Sequence, residues 1–233
     1  EVGFDKENVV LVQLNDPSIK VETINLFKEN LLTNPTIKAT AYSRYTPGDM
    51  VGSTTFPKHH NGEISHTVVR WNGVDYEYIP LMGMEIIDGQ NFNRTFCDSS
   101  SVSIIVNESL VKFCGLSGEI VGSKVFRNTT IVGIVKDAAF NSLHNSTDPM
   151  VIELKTKNSG YVSIKYQPNN LNQTLDFVQN SYKKIFGDIP FNYQLLDKKV
   201  AMMYAEDQQI SNLLRVFTFI SIILSLMGIL NLS

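Results

Sequence analysis

Hydrophobic residues alternate, or recur at helical spacing, in two separate parts of the chain, one towards each end. In the first part, the β-branched run at 8–14 predicts a strand. Ile24, Phe27 and Leu31 then fall on one face at helical spacing, which predicts a helix. Residues 36–44 resume an extended pattern, so the predicted order is strand, helix, strand.

The same order returns late in the chain. Residues 161–166 alternate as a strand does, and residues 191–195 place their apolar side chains on one strand face. Between these strands the apolar positions step by four and three, and Gly187 marks a helix end. The two strand–helix–strand units predict an α+β fold, a split βαβ/βαβ sandwich with its helices on one side of the sheet.

The middle of the chain has a different pattern. Residues 45–62 hold three Gly and two Pro, which predicts a long loop or an irregular hairpin, and residues 64–71 read as a strand. Residues 74–92 indicate a short helical turn, a brief strand and a Gly turn. Two short buried strands flank a short helix that ends at Gly115. We therefore predict a small β-rich subdomain inserted into the sandwich over residues 85–150.

The last part of the chain predicts a stalk helix that enters the membrane. Residues 198–215 contain neither Gly nor Pro, and residues 216–233 carry no charge. Eighteen helical residues span about 27 Å, close to the roughly 30 Å of a bilayer core. A buried core helix or a helix facing a partner is the alternative, but this run is apolar all round rather than on one stripe. We expect one continuous helix over 198–229.

The pattern divides the chain into five parts. We predict a first sandwich part at 1–84, the insert at 85–150, a second sandwich part at 151–197, the stalk at 198–215 and the start of a transmembrane helix at 216–233.

Composition narrows the class of protein. The net charge of −3 gives no basic surface for nucleic acid and no acidic tail. The first ten residues have neither the basic nor the apolar region of a signal peptide. A polar segment followed by a membrane helix suggests an extramembranous loop between two spans.

The two cysteines offer little chemistry. Cys97 and Cys114 lie seventeen residues apart, and we predict two unpaired, partly buried thiols. A disulfide in an oxidising compartment stays open as an alternative. A metal site would need more ligands than this spacing provides.

A search for catalytic motifs finds none. The stretch "GEIVGSKV" has Ser123 where a phosphate-binding loop needs lysine, and neither a nucleotide-binding Gly-x-Gly-x-x-Gly unit nor His-Glu-x-x-His is present. His59, His60 and His66 fit a solvated loop better than a metal site. Asp137 fits a turn at a strand end better than a catalytic role. We therefore predict no catalytic, cofactor-binding or metal-binding residues, no cofactor, and a non-enzymatic protein.

Six Asn-x-Ser/Thr sequences occur, but we give them no weight, because glycosylation would require a eukaryotic secretory source. The sixth lies inside the predicted membrane helix. The six asparagines are Asn93, Asn107, Asn128, Asn145, Asn172 and Asn231.

Four stretches in order carry a family resemblance. "YIPLMGMEIIDGQNF" (78–92) resembles an aromatic-rich turn followed by a Gly, a strand and Gly-x-x-Phe. "IIVNESLVKFCGLSGEIVGSKV" (104–125) resembles an Asn-Glu helix with later glycine turns. "TIVGIVKDAAFNSLHNSTDPMVI" (130–152) resembles an Ile-Val-Gly-Val-Val-x-Asp strand, a loop and a Pro. "FNYQLLDKKVAMMYAEDQQ" (191–209) resembles a closing strand and a Tyr-x-x-Glu stalk.

Together these stretches resemble the periplasmic core domain of MacB/FtsX-like ABC transporter permeases. The match covers nearly the whole chain and is clearest over 78–233. One departure is Ser123, where relatives commonly have lysine directly after the glycine, and we attach no functional consequence to it.

The resemblance implies a porter-like subdomain for the sandwich and a sabre-like one for the insert. It implies that the final residues are the second transmembrane helix, with the first ahead of Glu1. It also implies that such domains catalyse no reaction. ATP is hydrolysed by a cytoplasmic domain or subunit, and helix movement transmits the work to the periplasmic side. The implied setting is a Gram-negative inner membrane, with the domain facing the periplasm.

The resemblance also implies partners: a cytoplasmic ABC ATPase, a second permease copy or pseudo-repeat, the membrane, and a periplasmic adaptor or outer-membrane protein. Export of a substrate, extraction of lipoproteins and signalling all stay open. Two other classes also remain: a single-pass receptor or adhesin ectodomain, favoured only by the Asn-x-Ser/Thr sequences, and a membrane-tethered hydrolase that uses the region His59–His66.

Overall fold

A computed structural model describes residues 3–16, 18–49, 51–60, 63–93, 102–126, 128–138, 148–155, 159–203, 205, 214–215, 217–222 and 227. Up to residue 203, these residues form eleven strands of one mixed sheet and five helical segments, and the described residues after 203 are also helical. The strands are β1 Val9–Leu14, β2 Ile37–Ser43, β3 Gly52–His60, β4 Glu63–Val74, β5 Ile86–Gly89, β6 Val102–Asn107, β7 Lys124–Phe126, β8 Thr129–Val135, β9 Met150–Leu154, β10 Gly160–Tyr166 and β11 Asn192–Leu195. The helical segments are α1 Val21–Leu31, α2 Tyr78–Leu81, α3 Glu108–Cys114, α4 Leu171–Phe186 and α5, residues 196–203.

The first half of the sheet joins the two ends of the chain. Its strand order is β11-β1-β10-β2, all antiparallel, so β1 lies between two strands that come more than 140 residues later. The units β1-α1-β2 and β10-α4-β11 therefore interleave, as in a split βαβ arrangement. This confirms the predicted α+β sandwich.

Both faces of this half are buried. On one face, α1 and α4 cover the sheet with a cluster that includes Phe27, Tyr182 and Phe186, whose rings lie 4.6–5.8 Å apart. The helical spacing that predicted α1 and α4 thus marks the residues that bury apolar area against the sheet. On the other face, a second cluster brings in α2 and the start of α5.

The second half of the sheet has the order β9-β6-β8-β5, with β7 paired to β8. It is mixed, because β6 runs parallel to β8 and antiparallel to β9. The short helix α3 packs above a third cluster and ends at Gly115, which has a left-handed backbone with φ +64°. The predicted strands and short helices of the middle region are confirmed.

The hairpin β3–β4 corrects the prediction for residues 45–62. Instead of a long loop or an irregular hairpin, Gly52–His60 forms a regular strand paired with β4 over nine positions. Pro57 sits within it opposite His66. A proline is tolerated here because β3 is an edge strand that pairs with β4 alone among the described strands. Its other edge has no partner strand there that would need a backbone donor.

The predicted continuous helix over 198–229 lies partly outside the described residues. Helix α5 begins at residue 196, two residues earlier than predicted. Within the part of the chain that the structure describes, no helix is long and apolar enough to cross a membrane. The predicted boundaries at 84/85, 150/151 and 197/198 stay predictions.

Candidate functional site

The candidate functional site is the junction where α5 leaves the sheet. Leu196 and Val200 lie one helical turn apart and are fully buried in the second core cluster. Because residues four apart in a helix share one face, this face of α5 packs against the domain. The first turns of α5 are therefore part of the core.

A lysine on the next face of α5 fastens the helix to a tight turn. The Lys199 ammonium donates hydrogen bonds to Thr46 Oγ1 at 2.6 Å and Asp49 Oδ1 at 2.5 Å. The turn Thr46–Asp49 is closed by a bond from the Asp49 amide to the Thr46 carbonyl, with Pro and Gly at its central positions. Gly48 has φ +87°, as the third position of a type II turn requires. The sequence thus specifies the turn that receives Lys199.

The turn also holds its own acceptor in place. The backbone amide and the hydroxyl of Thr46 both donate to Asp49 Oδ2 at 2.9 Å. One carboxylate therefore binds the turn through one oxygen and α5 through the other. A side chain added at Gly48 would contact Lys199 Cε at 3.4 Å, so the turn and the helix lie in close contact.

Tyr161 of β10 completes the junction. The Lys199 ammonium lies 5.2 Å from its ring centroid, and Gln13 of β1 donates to its hydroxyl at 3.3 Å. Burial, followed by the neighbouring negative charge of Asp49, raises the pKa of Tyr161 to about 12. Tyr161 is therefore a neutral donor at physiological pH, and the junction touches β1, β10, the turn and α5.

A second ion pair lies inside the first half. The Lys28 ammonium of α1 donates to Asp75 Oδ2, and these side chains are 10% and 7% exposed. Asp75 also accepts from the backbone amides of Tyr42 at 2.8 Å and Glu77 at 3.2 Å. Burial raises the pKa of Asp75, while Lys28 and these amides counteract the rise. The pair ties α1, β2 and the α2 segment together.

Two of the stretches that carry the family resemblance meet in space. Asn107, which caps α3, donates to Asp137 Oδ1 at 2.8 Å, and Ser109 Oγ donates to Asp137 Oδ2 at 2.6 Å. Asn107 Oδ1 accepts from the amides of Leu110 and Met150. Asp137 therefore ties the end of β8 to the end of β6 and the start of α3, and Asn107 extends the contact to the start of β9. Sequence spacing alone could not reveal this contact between residues thirty positions apart.

Two of the histidines considered as metal ligands lie close together on the hairpin. His59 and His66 lie on one face of the hairpin, and no cluster of three or more metal-ligating side chains occurs among the described residues. The side chain of His60 lies outside the described residues.

Cys114 is buried, and burial raises the pKa of its thiol. Cys97 lies outside the described residues, so whether the two cysteines pair stays untested. Of the asparagines in Asn-x-Ser/Thr sequences, Asn107 is buried with its amide nitrogen bound to Asp137 and to the Asp148 carbonyl. A glycan on that nitrogen would break these bonds.

The split antiparallel half, the mixed half of the sheet and the helix α5 together form a fold that solved structures of other proteins share. The periplasmic region of MacB from Actinobacillus actinomycetemcomitans matches with a TM-score of 0.59 at 13% identity, over 89% of this chain and 94% of that one.

Two further structures share this fold. The extracellular domain of YknZ, an ABC-type transporter of Gram-positive bacteria, gives a TM-score of 0.57 at 16% identity, over 81% of this chain and 99% of that one. A domain assigned to a permease of Porphyromonas gingivalis gives 0.53 at 16% identity, over 82% and 90%. No protein-family model and no curated protein matches the sequence. The fold expected from the four stretches is confirmed.

Proposed function

We propose that this chain is the extracytoplasmic domain of an ABC transporter permease and that it couples cytoplasmic ATP hydrolysis to export or extraction of a substrate. The observation that carries the proposal is the junction of α5, where Lys199, Leu196 and Val200 fix the helix to the sandwich. Movement of a helix fixed in this way is passed to the domain rather than absorbed by a hinge. The common fold with the periplasmic region of MacB supports the same conclusion.

The path of the chain also supports a domain carried between two membrane spans. Val10 pairs with Leu195, so the start of β1 lies beside the end of β11. The chain therefore enters and leaves the sandwich at neighbouring points. Two flanking membrane helices can emerge side by side from such a domain.

The setting follows from the proposal. The domain faces the periplasm from a bacterial inner membrane, with a cytoplasmic ATPase and a second permease copy or pseudo-repeat as partners. An adaptor or outer-membrane partner would contact the insert, residues 85–150. The fold itself occurs in a periplasmic region and in an extracellular domain, so a Gram-negative source rests on the resemblance alone. No ATP binding is expected of the domain, because the sequence contains no phosphate-binding loop.

The test is to remove the interactions of Lys199 at the junction without unfolding the domain. Lys199→Met keeps the length of the side chain but removes the cation that binds Asp49 and Thr46. In the full-length permease we expect expression and basal ATPase activity to stay close to wild type while transport falls severalfold. Lys198→Met is the matched control, because Lys198 is its exposed neighbour on the same helix. Equal transport by the two variants would refute coupling through this junction.

A second test concerns the predicted continuation of α5 through residue 208 to residue 229. Gln208→Pro removes a backbone donor and clashes with the preceding turn, at a cost of about 3 kcal/mol within a helix. If the helix transmits motion, transport should fall sharply while basal ATPase activity persists, and Gln208→Ala should be nearly neutral. A proline variant as active as the alanine variant would exclude a continuous lever.

A further inference from the structure

A cavity of about 440 Å³ lies between the tip of the β3–β4 hairpin and residues 115–126. Its lining residues are not those of the α5 junction. Two cross-strand pairs form its hairpin wall, Pro57 opposite His66 and His59 opposite Ile64. This volume falls within the range of sites that hold small organic molecules. The proposed transport function makes no use of it.

The wall opposite the hairpin is held by its own hydrogen bonds. The Gly122 amide donates to the Ile131 carbonyl at 2.8 Å, and the Ile131 amide donates to the Ser123 carbonyl at 3.1 Å. Ser123 Oγ donates to the Ile120 carbonyl at 2.6 Å. Because these bonds hold the loop through its own backbone and Ser123, a ligand would bear little ordering cost.

One end of the cavity is closed by close backbone contact. A Cβ built at Gly115 would lie 2.5 Å from the His59 carbonyl oxygen, so the helix end and the hairpin tip meet there. The other end is open, and two apolar side chains stand at the mouth. Ile64 is 64% exposed and Phe126 is 40% exposed. Covering these side chains would remove apolar area from water.

The lining separates into an apolar interior and a polar rim. Leu116, Ile120 and Val125 pack against the third core cluster, and the buried Ile131 forms the base. Among the described lining residues, His59, His66, Ser117 and Lys124 offer side-chain hydrogen-bond donors, against one carboxylate, Glu119.

We propose that this cavity binds a small amphiphile, with its apolar chain against the interior and an anionic carboxylate or phosphate head at the rim. Apolar walls have no partner to offer a charged group, so the chain lies inside. The excess of donors over carboxylates at the rim selects an anionic head over a cationic one. Binding at this cavity does not depend on the proposed transport function.

Photolabelling of the full chain in lipid nanodiscs tests this site. The probes are dodecanoate and dodecyl phosphate that carry a tail diazirine, and dodecylammonium with the same group. Labelling is mapped by mass spectrometry and normalised to that of α4, which lies outside the cavity lining. Either anionic probe should label residues 115–126, with competition by the unlabelled compound. The cationic probe should label them about tenfold less, as expected for a like-charge penalty.

A matched pair of variants separates the cavity from the rest of the hairpin surface. Ile64 lines the cavity, whereas Val68, on the same strand face and 70% exposed, does not. Ile64→Glu should reduce labelling of residues 115–126 by about tenfold, because it places a like charge beside the head. Val68→Glu should leave it unchanged. Equal effects of the two variants, equal labelling by the cationic probe, or labelling that the unlabelled compound does not displace would each overturn the proposal.

Discussion

The two halves of the sheet differ in how their surfaces are used. In the first half, helices cover one face and a second apolar cluster covers the other, so its strands are buried on both sides. Beside the second half, the β3–β4 hairpin buries Phe56 and Val69 in the third cluster but exposes Ile64 and Val68 on its other face. The first half is built as a rigid base for α5, while the second offers apolar surface to other molecules. Rigidity and surface for recognition are thus assigned to different parts of one sheet.

The aromatic cluster under α1 should give the largest difference between the halves. Phe27 is fully buried against Tyr182 and Phe186, and Phe27→Ala should lower the free energy of unfolding by about 3–5 kcal/mol. Phe113 of α3 is 43% exposed beneath the Lys58 ammonium, so Phe113→Ala should cost about 1 kcal/mol. Urea unfolding compares the two. Similar losses would remove the distinction between base and surface.

The buried ion pair should give the next effect. Asp75→Ala leaves the Lys28 ammonium without its carboxylate and the Tyr42 amide without its acceptor. We expect a loss of about 3 kcal/mol in the free energy of unfolding, because an uncompensated buried charge is costly. Asp75→Asn keeps an acceptor oxygen and should lose less. A stable alanine variant would show that the pair does not contribute to the base.

Gly115 tests how tightly the second half is closed. Gly115→Ala should cost about 1–3 kcal/mol, because φ is +64° and the new Cβ would clash with the His59 carbonyl. Gly118 is the control: its φ is +80°, but nothing lies within 4 Å of a Cβ there. The difference between the two alanine variants in thermal unfolding isolates the clash. No difference would mean that the hairpin tip moves aside at little cost.

The smallest effect is expected on the open face of the hairpin. Val68→Thr should change the free energy of unfolding by less than about 0.5 kcal/mol, because the side chain is 70% exposed. Chemical denaturation measures this value directly. A loss above about 1 kcal/mol would instead mean that Val68 makes a stabilising contact that the structure of the single chain does not show.

Local patterns predicted the elements whose causes are local. The apolar spacing of Ile24, Phe27 and Leu31 located α1, and the Gly at a helix end located the limit of α3. The strand β3 was missed because its Gly and Pro content is typical of loops, whereas an edge strand tolerates Pro57. The interleaved strand order had no local signal at all.

The candidate site was visible only in part. The sequence Thr-Pro-Gly-Asp at 46–49 indicates a tight turn, and the lysines at 198–199 indicate a helix start. Nothing in either stretch shows that Lys199 binds Asp49, 150 positions away along the chain. Such a contact depends on the interleaving of β1, β10 and β11, which only the folded chain establishes.

The interleaved strand order determines which parts of the sheet can form first during synthesis of the chain. The strand β1 is made first and has its two neighbours in β10 and β11, so it has no partner strand until residue 166 has been made and lacks the second until residue 195. The hairpin β3–β4 needs only 23 residues of continuous chain, from Gly52 to Val74, and can form long before then. During synthesis of the chain, the hairpin that offers surface to ligands can therefore form first. The first half of the sheet, which carries α5, is completed last, once β11 has been synthesised.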